Sequence, residues 1–211
     1  MTVYAINGLG RIGKLALRPL LERGATLAWI NDAVGDPAMH AHLLEFDTVH
    51  GRWVADHSAD DSSISINGLR LPFIGTGSLE DLPLNGVDVV IDCTGVFKSK
   101  AALQAYFDAG VKKVVVSAPV KDGPTANIVY GVNQDTYDPA AHSIITAASC
   151  TTNCLAPVVK VIHENLGIRH GSITTIHDVT NTQTIVDRPA KDLRRARSAL
   201  NSLIPTTTGS A

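Results

Sequence analysis

The sequence has few of the residues that mark secreted, membrane-bound or nucleic-acid-binding chains. Only three cysteines, Cys93, Cys150 and Cys154, occur in 211 residues. Three is odd and too few for a disulfide framework, and no CxxC pair of the kind that holds structural zinc is present. This usage predicts a reducing, cytoplasmic setting and no metal. No apolar run is long enough to cross a bilayer. Met1 to Ile6 lacks the basic segment, apolar stretch and small-residue cleavage site of a signal peptide. A formal net charge of −2 leaves no basic excess for nucleic acid or a membrane surface as main partner. Internal repeats, low-complexity tracts and linker-like runs are also missing.

What remains is an ordinary globular composition, 45% hydrophobic and 18% charged, with enough chain for one large domain or two modest ones. Val3-Tyr4-Ala5-Ile6 reads as a short buried strand. Gly8-Leu9-Gly10-Arg11-Ile12-Gly13 follows, then a helical pattern with Ile12, Leu15, Ala16 and Leu20 on one face. Leu27 to Asn31 reads as a second strand, and Asp32 closes it. Glycines between strand and helix, with an acid ending the next strand about 20 positions on, are what a Rossmann-type dinucleotide fold requires. Gly8 makes the tight turn, Gly10 lets backbone approach a pyrophosphate, and Gly13 allows close helix–strand packing. Asp32 would accept hydrogen bonds from the adenosine ribose. A GxGxxG run also marks plain turns, and it is the register of strands and acid that favours the dinucleotide.

Further along, Asp36-Pro37 opens a helix carrying Met39, Leu43, Leu44 and Phe46. Ser63 to Ile66 alternates, Asn67-Gly68 signals a tight turn, and Leu69 to Phe73 alternates back, which predicts an antiparallel hairpin. Val87 to Cys93, Lys113 to Ser117, Asn127 to Tyr130 and Ser143 to Ala147 read as strands, with Ser99 capping a helix between the first two. Thr94-Gly95 and Ser117 fall at strand carboxyl ends, where open parallel sheets bind ligands. An ordinary turn is the alternative role there. The fold class read from these patterns is α/β, a Rossmann-type doubly wound, mainly parallel sheet.

Cys150 stands where the last of these strands hands over to a helix running to about Asn165, with Ser149 as N-cap and Gly167 as stop. A helix N-terminus stabilises a thiolate and an oxyanion. A small buried hydrophobe is the competing role for any free cysteine. Pro157 predicts a bend in this helix, and Cys154, one turn on, is expected in the core. Ile168 to His177 reads as a strand. The basic run after Asp178 reads as a solvated or interface-lining loop.

Taken together, Gly8 to Lys14, Cys93 to Phe97, Ser117-Ala118-Pro119, Ala148 to Pro157 and Lys191 to Arg197 resemble phosphorylating glyceraldehyde-3-phosphate dehydrogenases, in the family's order and over essentially the whole chain. His42 to Trp53 and Asp178 to Gln183 further resemble the subclass associated with arsenic-resistance transporters. The resemblance implies an NAD cofactor, with Cys150 as nucleophile and His177 as general base. It also implies glyceraldehyde 3-phosphate and inorganic phosphate, or arsenate, as substrates. It places Ser149, Thr151, Thr180, Thr208 and Gly209 against substrate and phosphate, and Arg11, Ile12, Asp32, Thr94 and Ser117 against cofactor. It implies an NAD-binding Rossmann domain over residues 1–149, the start of an α+β catalytic domain at 150–211, and a homotetramer for the full-length enzyme. Erythrose-4-phosphate dehydrogenase, an inactive dinucleotide-binding remnant and a cofactor-free thiol hydrolase are the alternatives; the glycine loop with Asp32 disfavours the last. Family members continue past Ala211, so the 211 residues are expected to be a fragment of a longer enzyme or a truncated product of little activity. Arg188 stands where many NAD-using members are apolar and would suit a 2′-phosphate, whereas Asp32 would repel one, and NAD is the expected choice.

Overall fold

The computed structural model describes residues 1–208 and divides into two compact units, Met1–Ser149 and Cys150–Ala211. In the first unit, the chain runs through β1 (Val3–Asn7), α1 (Arg11–Glu22), β2 (Thr26–Asn31), α2 (Pro37–Glu45), and the short pair β3 (Phe46–Asp47) and β4 (Gly51–Arg52). It continues with β5 (His57–Asp60), β6 (Ser63–Ile66), β7 (Leu69–Pro72), β8 (Val89–Asp92), α3 (Lys100–Asp108), β9 (Lys113–Val116), β10 (Thr125–Asn127) and β11 (Ile144–Thr146).

Six strands form one parallel sheet in the order β10-β11-β9-β8-β1-β2. The chain leaves β1 for β2 on one side and returns to β8 on the other, so the strand order reverses at the β1/β8 seam. In open α/β sheets such a seam opens a crevice at the carboxyl ends of the strands. The doubly wound, Rossmann-type arrangement expected from the sequence is therefore present.

Neighbouring side chains on β1 and β2 pack on opposite faces, as the two-residue period of a strand demands. Ala5 and Trp29 join a cluster with Val90, Leu103, Tyr106 and Val114. Ile6 and Ile30 join another with Leu9, Leu17, Leu44 and Ile64. Both faces of the seam are therefore dry, and its apolar runs are near-continuous rather than alternating.

Local signals explain the element ends. Asp36 accepts a hydrogen bond from the Met39 amide at 2.7 Å and Ser99 from that of Ala102 at 3.1 Å, capping α2 and α3. Asn67 and Gly68 take φ of 50° and 81°, the left-handed pair that a two-residue hairpin needs, and β6 pairs β7 antiparallel around them. With β5 this hairpin makes its own three-stranded sheet. The face of α2 that is buried carries Pro37, His40, Ala41 and Leu44, whereas Met39 and Leu43 are exposed.

The second unit is α4 (Cys150–Leu166), ended by Gly167 at φ 75°, followed by extended and turning chain. The strand expected over Ile168 to His177 is not formed. Strand identity requires a partner's amides and carbonyls, and among the described residues this segment has no ladder partner. Cys154, expected in the core, is exposed. Pro157 lies within α4, which continues through it.

Candidate functional site

The carboxyl ends of β1, β2, β8 and β9 gather the first group of expected site residues. Gly8 takes φ 93°, and a Cβ there would stand 2.5 Å from the Thr94 amide nitrogen, so the turns after β1 and β8 touch backbone to backbone. A Cβ on Gly13 would meet the Gly8 carbonyl oxygen at 1.9 Å, which locks α1 against the turn. At Gly10 a Cβ would meet nothing within 4 Å. Gly10 is also the N-cap of α1, no side chain caps that end, and its first turn carries no acid. Open space in front of an uncapped helix N-terminus fits the pyrophosphate of a dinucleotide.

Asp32 binds the glycine loop to the end of β2. Its Oδ2 accepts from the Leu9 amide at 2.7 Å and its Oδ1 from Val34 at 3.0 Å, which leaves lone pairs on both oxygens for a ribose hydroxyl. Lys14 donates from its Nζ to the Leu9 carbonyl oxygen. Burial lowers its pKa, and the Asp32 charge opposes the shift. Arg11 and Ile12 are exposed at the first turn of α1. The Arg11 guanidinium is paired with Asp47 and lies 2.6 Å from His50 Nδ1.

At β8, Thr94 donates from its amide and from its hydroxyl to Asp92 Oδ1, at 3.0 and 2.7 Å, and Gly95 continues the turn at φ 69°. The Ser117 amide donates to the Asp92 carbonyl oxygen at 2.9 Å. The Ser117 side chain hydrogen-bonds Cys93, whose thiol burial pushes up to about 11. Cys93 is therefore an inert thiol at neutral pH.

In the second unit the decisive contact joins Cys150 and His177. Cys150 is the first residue of α4. Just before it Ala148 takes φ 55°, a conformation alanine seldom adopts, and its amide donates to Thr146 Oγ1 at 3.1 Å. Cys150 Sγ lies 3.2 Å from His177 Nε2, and His177 Nδ1 lies 2.8 Å from the Asp178 carbonyl oxygen. A carbonyl only accepts, so Nδ1 carries a hydrogen and Nε2 is the nitrogen that exchanges a proton with sulfur. The hydrogen bond to His177 lowers the Cys150 pKa, helped by the Thr151 amide and hydroxyl. The Asp178 carbonyl and then the Cys150 thiolate raise that of His177. Both shifts favour a thiolate–imidazolium pair.

Beside His177 a cavity of about 290 Å³ is lined by Asp178, Gln183, Ala199, Leu203 and Thr206, among others. Thr180 reaches this wall through Gln183, whose Oε1 accepts from the Thr180 amide and hydroxyl at 2.8 and 2.9 Å. Arg195 donates to Thr182 Oγ1 and Thr206 Oγ1, each at 2.9 Å. Ser149 is half-buried, Thr208 is exposed, and Gly209 lies outside the described residues. Sequence reasoning missed Gln183 and the structural role of Arg195, because a polar run gives no sign of which member folds inward. It also missed Tyr106, which reads as one more apolar position of α3.

Residues 2–100 match the family model described as "Glyceraldehyde 3-phosphate dehydrogenase, NAD binding domain", and residues 149–211 match the C-terminal domain of the same family. The chain is 56% identical to glyceraldehyde-3-phosphate dehydrogenase 3 of Nostoc sp. over 98% of its own length and 62% of the relative's. Against the glyceraldehyde-3-phosphate dehydrogenase of Streptomyces coelicolor it is 50% identical, covering 100% of this chain and 64% of the relative. With that of Geobacillus stearothermophilus the identity is 47%, over 98% and 62%. The chain thus spans a little under two thirds of the length of these curated relatives. It belongs to the glyceraldehyde 3-phosphate dehydrogenase family.

Proposed function

We propose that the chain is the nucleotide-binding portion, residues 1–149, and the beginning of the catalytic portion, residues 150–211, of a cytoplasmic, NAD-dependent, phosphorylating glyceraldehyde-3-phosphate dehydrogenase. The observation that carries this reading is the 3.2 Å contact between Cys150 Sγ and His177 Nε2 at the start of α4.

The Cys150 thiolate attacks the aldehyde carbon of glyceraldehyde 3-phosphate, forming a C–S bond. The imidazolium of His177 gives its proton to the aldehyde oxygen, and the product is a thiohemiacetal. The N–H groups at the start of α4 favour the negative charge that develops on that oxygen. When bound, NAD supplies a hydride acceptor. As the carbon is oxidised, His177 takes the hydroxyl proton back, and an acyl thioester remains on Cys150. Inorganic phosphate then attacks the thioester carbonyl and expels the Cys150 thiolate, giving 1,3-bisphosphoglycerate. Arsenate, with phosphate's shape and charge, enters the same step and gives the arseno ester.

Gly8, Gly10 and Gly13, the Arg11 and Ile12 amides, Asp32, the Thr94-Gly95 turn and Ser117 would hold the dinucleotide. Ser149, Thr151, Thr180, Thr208 and Gly209 are assigned to substrate and inorganic phosphate on the family's pattern. Homotetramer assembly is supported by the exposed apolar side chains of the second unit, Val186, Leu193, Leu200 and Leu203.

The test is intact-mass analysis of the protein with glyceraldehyde 3-phosphate and NAD but no phosphate. An acyl adduct should appear on Cys150 and be discharged when phosphate or arsenate is added, with NADH formed. Absence of the adduct, or a stronger response to erythrose 4-phosphate, sinks the assignment.

A further inference from the structure

A chain of buried side chains runs beneath the dinucleotide crevice, and the proposed chemistry uses none of it. Asp92, at the end of β8, is fully buried, as is Tyr106 on α3; Asn7 and Asn31, at the ends of β1 and β2, are nearly so. The Tyr106 hydroxyl donates to Asp92 Oδ2 at 2.8 Å and accepts from Asn7 Nδ2 at 2.6 Å. Asn7 Oδ1 accepts from Asn31 Nδ2 at 2.7 Å. Asn31 then exchanges two hydrogen bonds, each 2.9 Å, with the Thr76 backbone. At the other end, Asp92 Oδ1 takes both the amide and the hydroxyl of Thr94.

The donors and acceptors match along this chain. Asp92 receives three donors, which suits an acceptor-only carboxylate. Each asparagine uses its oxygen as acceptor and its nitrogen as donor. The geometry has a consequence above it. Asn7 immediately precedes Gly8, and Asp92 holds Thr94, the two residues whose backbones meet across the β1/β8 seam. The β1/β8 ladder, with the Cys93 amide donating to the Asn7 carbonyl oxygen at 2.7 Å, sets the separation of the strands, and the Asn7–Tyr106–Asp92 linkage braces from below the two turns that leave it.

We propose that the Tyr106 hydroxyl is a positioning group for the dinucleotide, holding the Gly8 and Thr94-Gly95 turns in place at the ends of the paired strands through Asn7 and Asp92. The proposal rests on the reading of the first unit as an NAD-binding domain. Phenylalanine at 106 fills the same space. It strands the Asn7 amide without its acceptor and takes one donor from a buried carboxylate, while leaving every residue that would touch the cofactor in place.

The experiment is calorimetric titration of the intact protein with NAD, alongside amide hydrogen exchange at Thr94 and iodoacetamide labelling of Cys150. Tyr106→Phe should raise the NAD Kd by about fivefold or more, the low end of the coupling expected between a positioning group and the site it holds. It should speed exchange at Thr94 and leave the labelling rate of Cys150 unchanged. A purely structural tyrosine would lower the melting temperature but leave the Kd of the folded protein alone, and that result overturns the proposal. If Tyr106→Phe fails to fold, Asn7→Ser, which cuts the β1 arm only, decides; an unchanged Kd there overturns the proposal too. Wild-type protein that binds no NAD overturns the nucleotide reading and this proposal together. Wild-type binding with an unchanged Tyr106→Phe overturns this proposal alone.

Discussion

His177 presents Nε2 to Cys150 Sγ at 3.2 Å because its other ring nitrogen is held 2.8 Å from the Asp178 carbonyl oxygen. One backbone acceptor thus fixes the tautomer, and the tautomer fixes the direction of proton transfer. The pH dependence follows from the signs of the two shifts. The Cys150 pKa is lowered from the 9.0 of an ordinary thiol and that of His177 raised from 6.5, and both directions favour the thiolate–imidazolium pair over the neutral pair. The two values belong to the pair jointly. Iodoacetamide should therefore label Cys150 already at neutral pH, with the rate falling as pH drops through the lowered thiol value. In His177→Ala the titration should move up toward that of an ordinary thiol, and the rate at neutral pH should fall by about tenfold or more, since a free cysteine is only a few per cent thiolate there. Rates at Cys93 should stay low in both proteins. An unchanged profile in His177→Ala would remove the pairing.

Gly13 and Gly10 predict opposite phenotypes. A Cβ on Gly13 would stand 1.9 Å from the Gly8 carbonyl oxygen, so Gly13→Ala must displace backbone. It should cost about 1–3 kcal/mol of stability or more, measured by denaturant unfolding. At Gly10 the same methyl meets nothing within 4 Å, and φ is an ordinary −72°. Gly10→Ala should fold with wild-type stability and bind NAD more weakly, because the methyl enters the space where a pyrophosphate would approach. Equal stability of the two variants would contradict the packing argument.

Asp32 argues for NAD over NADP. Its carboxylate holds Leu9 and Val34 by their amides and would repel a 2′-phosphate placed on the adenosine ribose. Arg188 uses its backbone amide on the Ala196 carbonyl oxygen at 2.9 Å, and its guanidinium is exposed. Calorimetric titration should show NAD binding more tightly than NADP. Asp32→Ala should narrow the preference on the order of tenfold by removing one like charge. A wild-type preference for NADP would transfer the discriminating role from Asp32 to another residue.

These residues also show where sequence pattern suffices and where it stops. The GxGxxG turn, the Asn67-Gly68 hairpin and the Asp36 and Ser99 caps are local devices. Their conformations depend on three or four neighbouring residues, so they can be read directly from the chain. Asp92 ends an apolar strand, but its partner Tyr106 is 14 residues away on a helix face, and no periodicity announces a hydroxyl that must find a carboxylate. The expected strand at 168–177 failed for the complementary reason. β-propensity describes one strand, whereas a strand exists only with its neighbour. Cys150 and His177 are 27 residues apart, and only the fold brings sulfur to nitrogen.

Arg195 provides the last prediction. Its guanidinium spans Thr182 and Thr206, and Thr206 lines the cavity beside His177 while Thr182 bonds Gln183, which lines it too. One planar fork thus ties together two loops separated by 24 positions in sequence. A lysine keeps the charge but offers a point donor rather than a fork, so it cannot hold both hydroxyls in one geometry. Arg195→Lys should let the cavity walls drift while Cys150, His177 and the Asp178 carbonyl keep their arrangement. Misplacement of about 1 Å costs on the order of 10²-fold in reactions that depend on alignment. In the proposed reaction, turnover of glyceraldehyde 3-phosphate should fall by ~10- to 100-fold, with iodoacetamide labelling of Cys150 at the wild-type rate. If labelling slows in parallel with turnover, Arg195 acts on the thiolate pair itself, and the cavity is not where its effect is exerted.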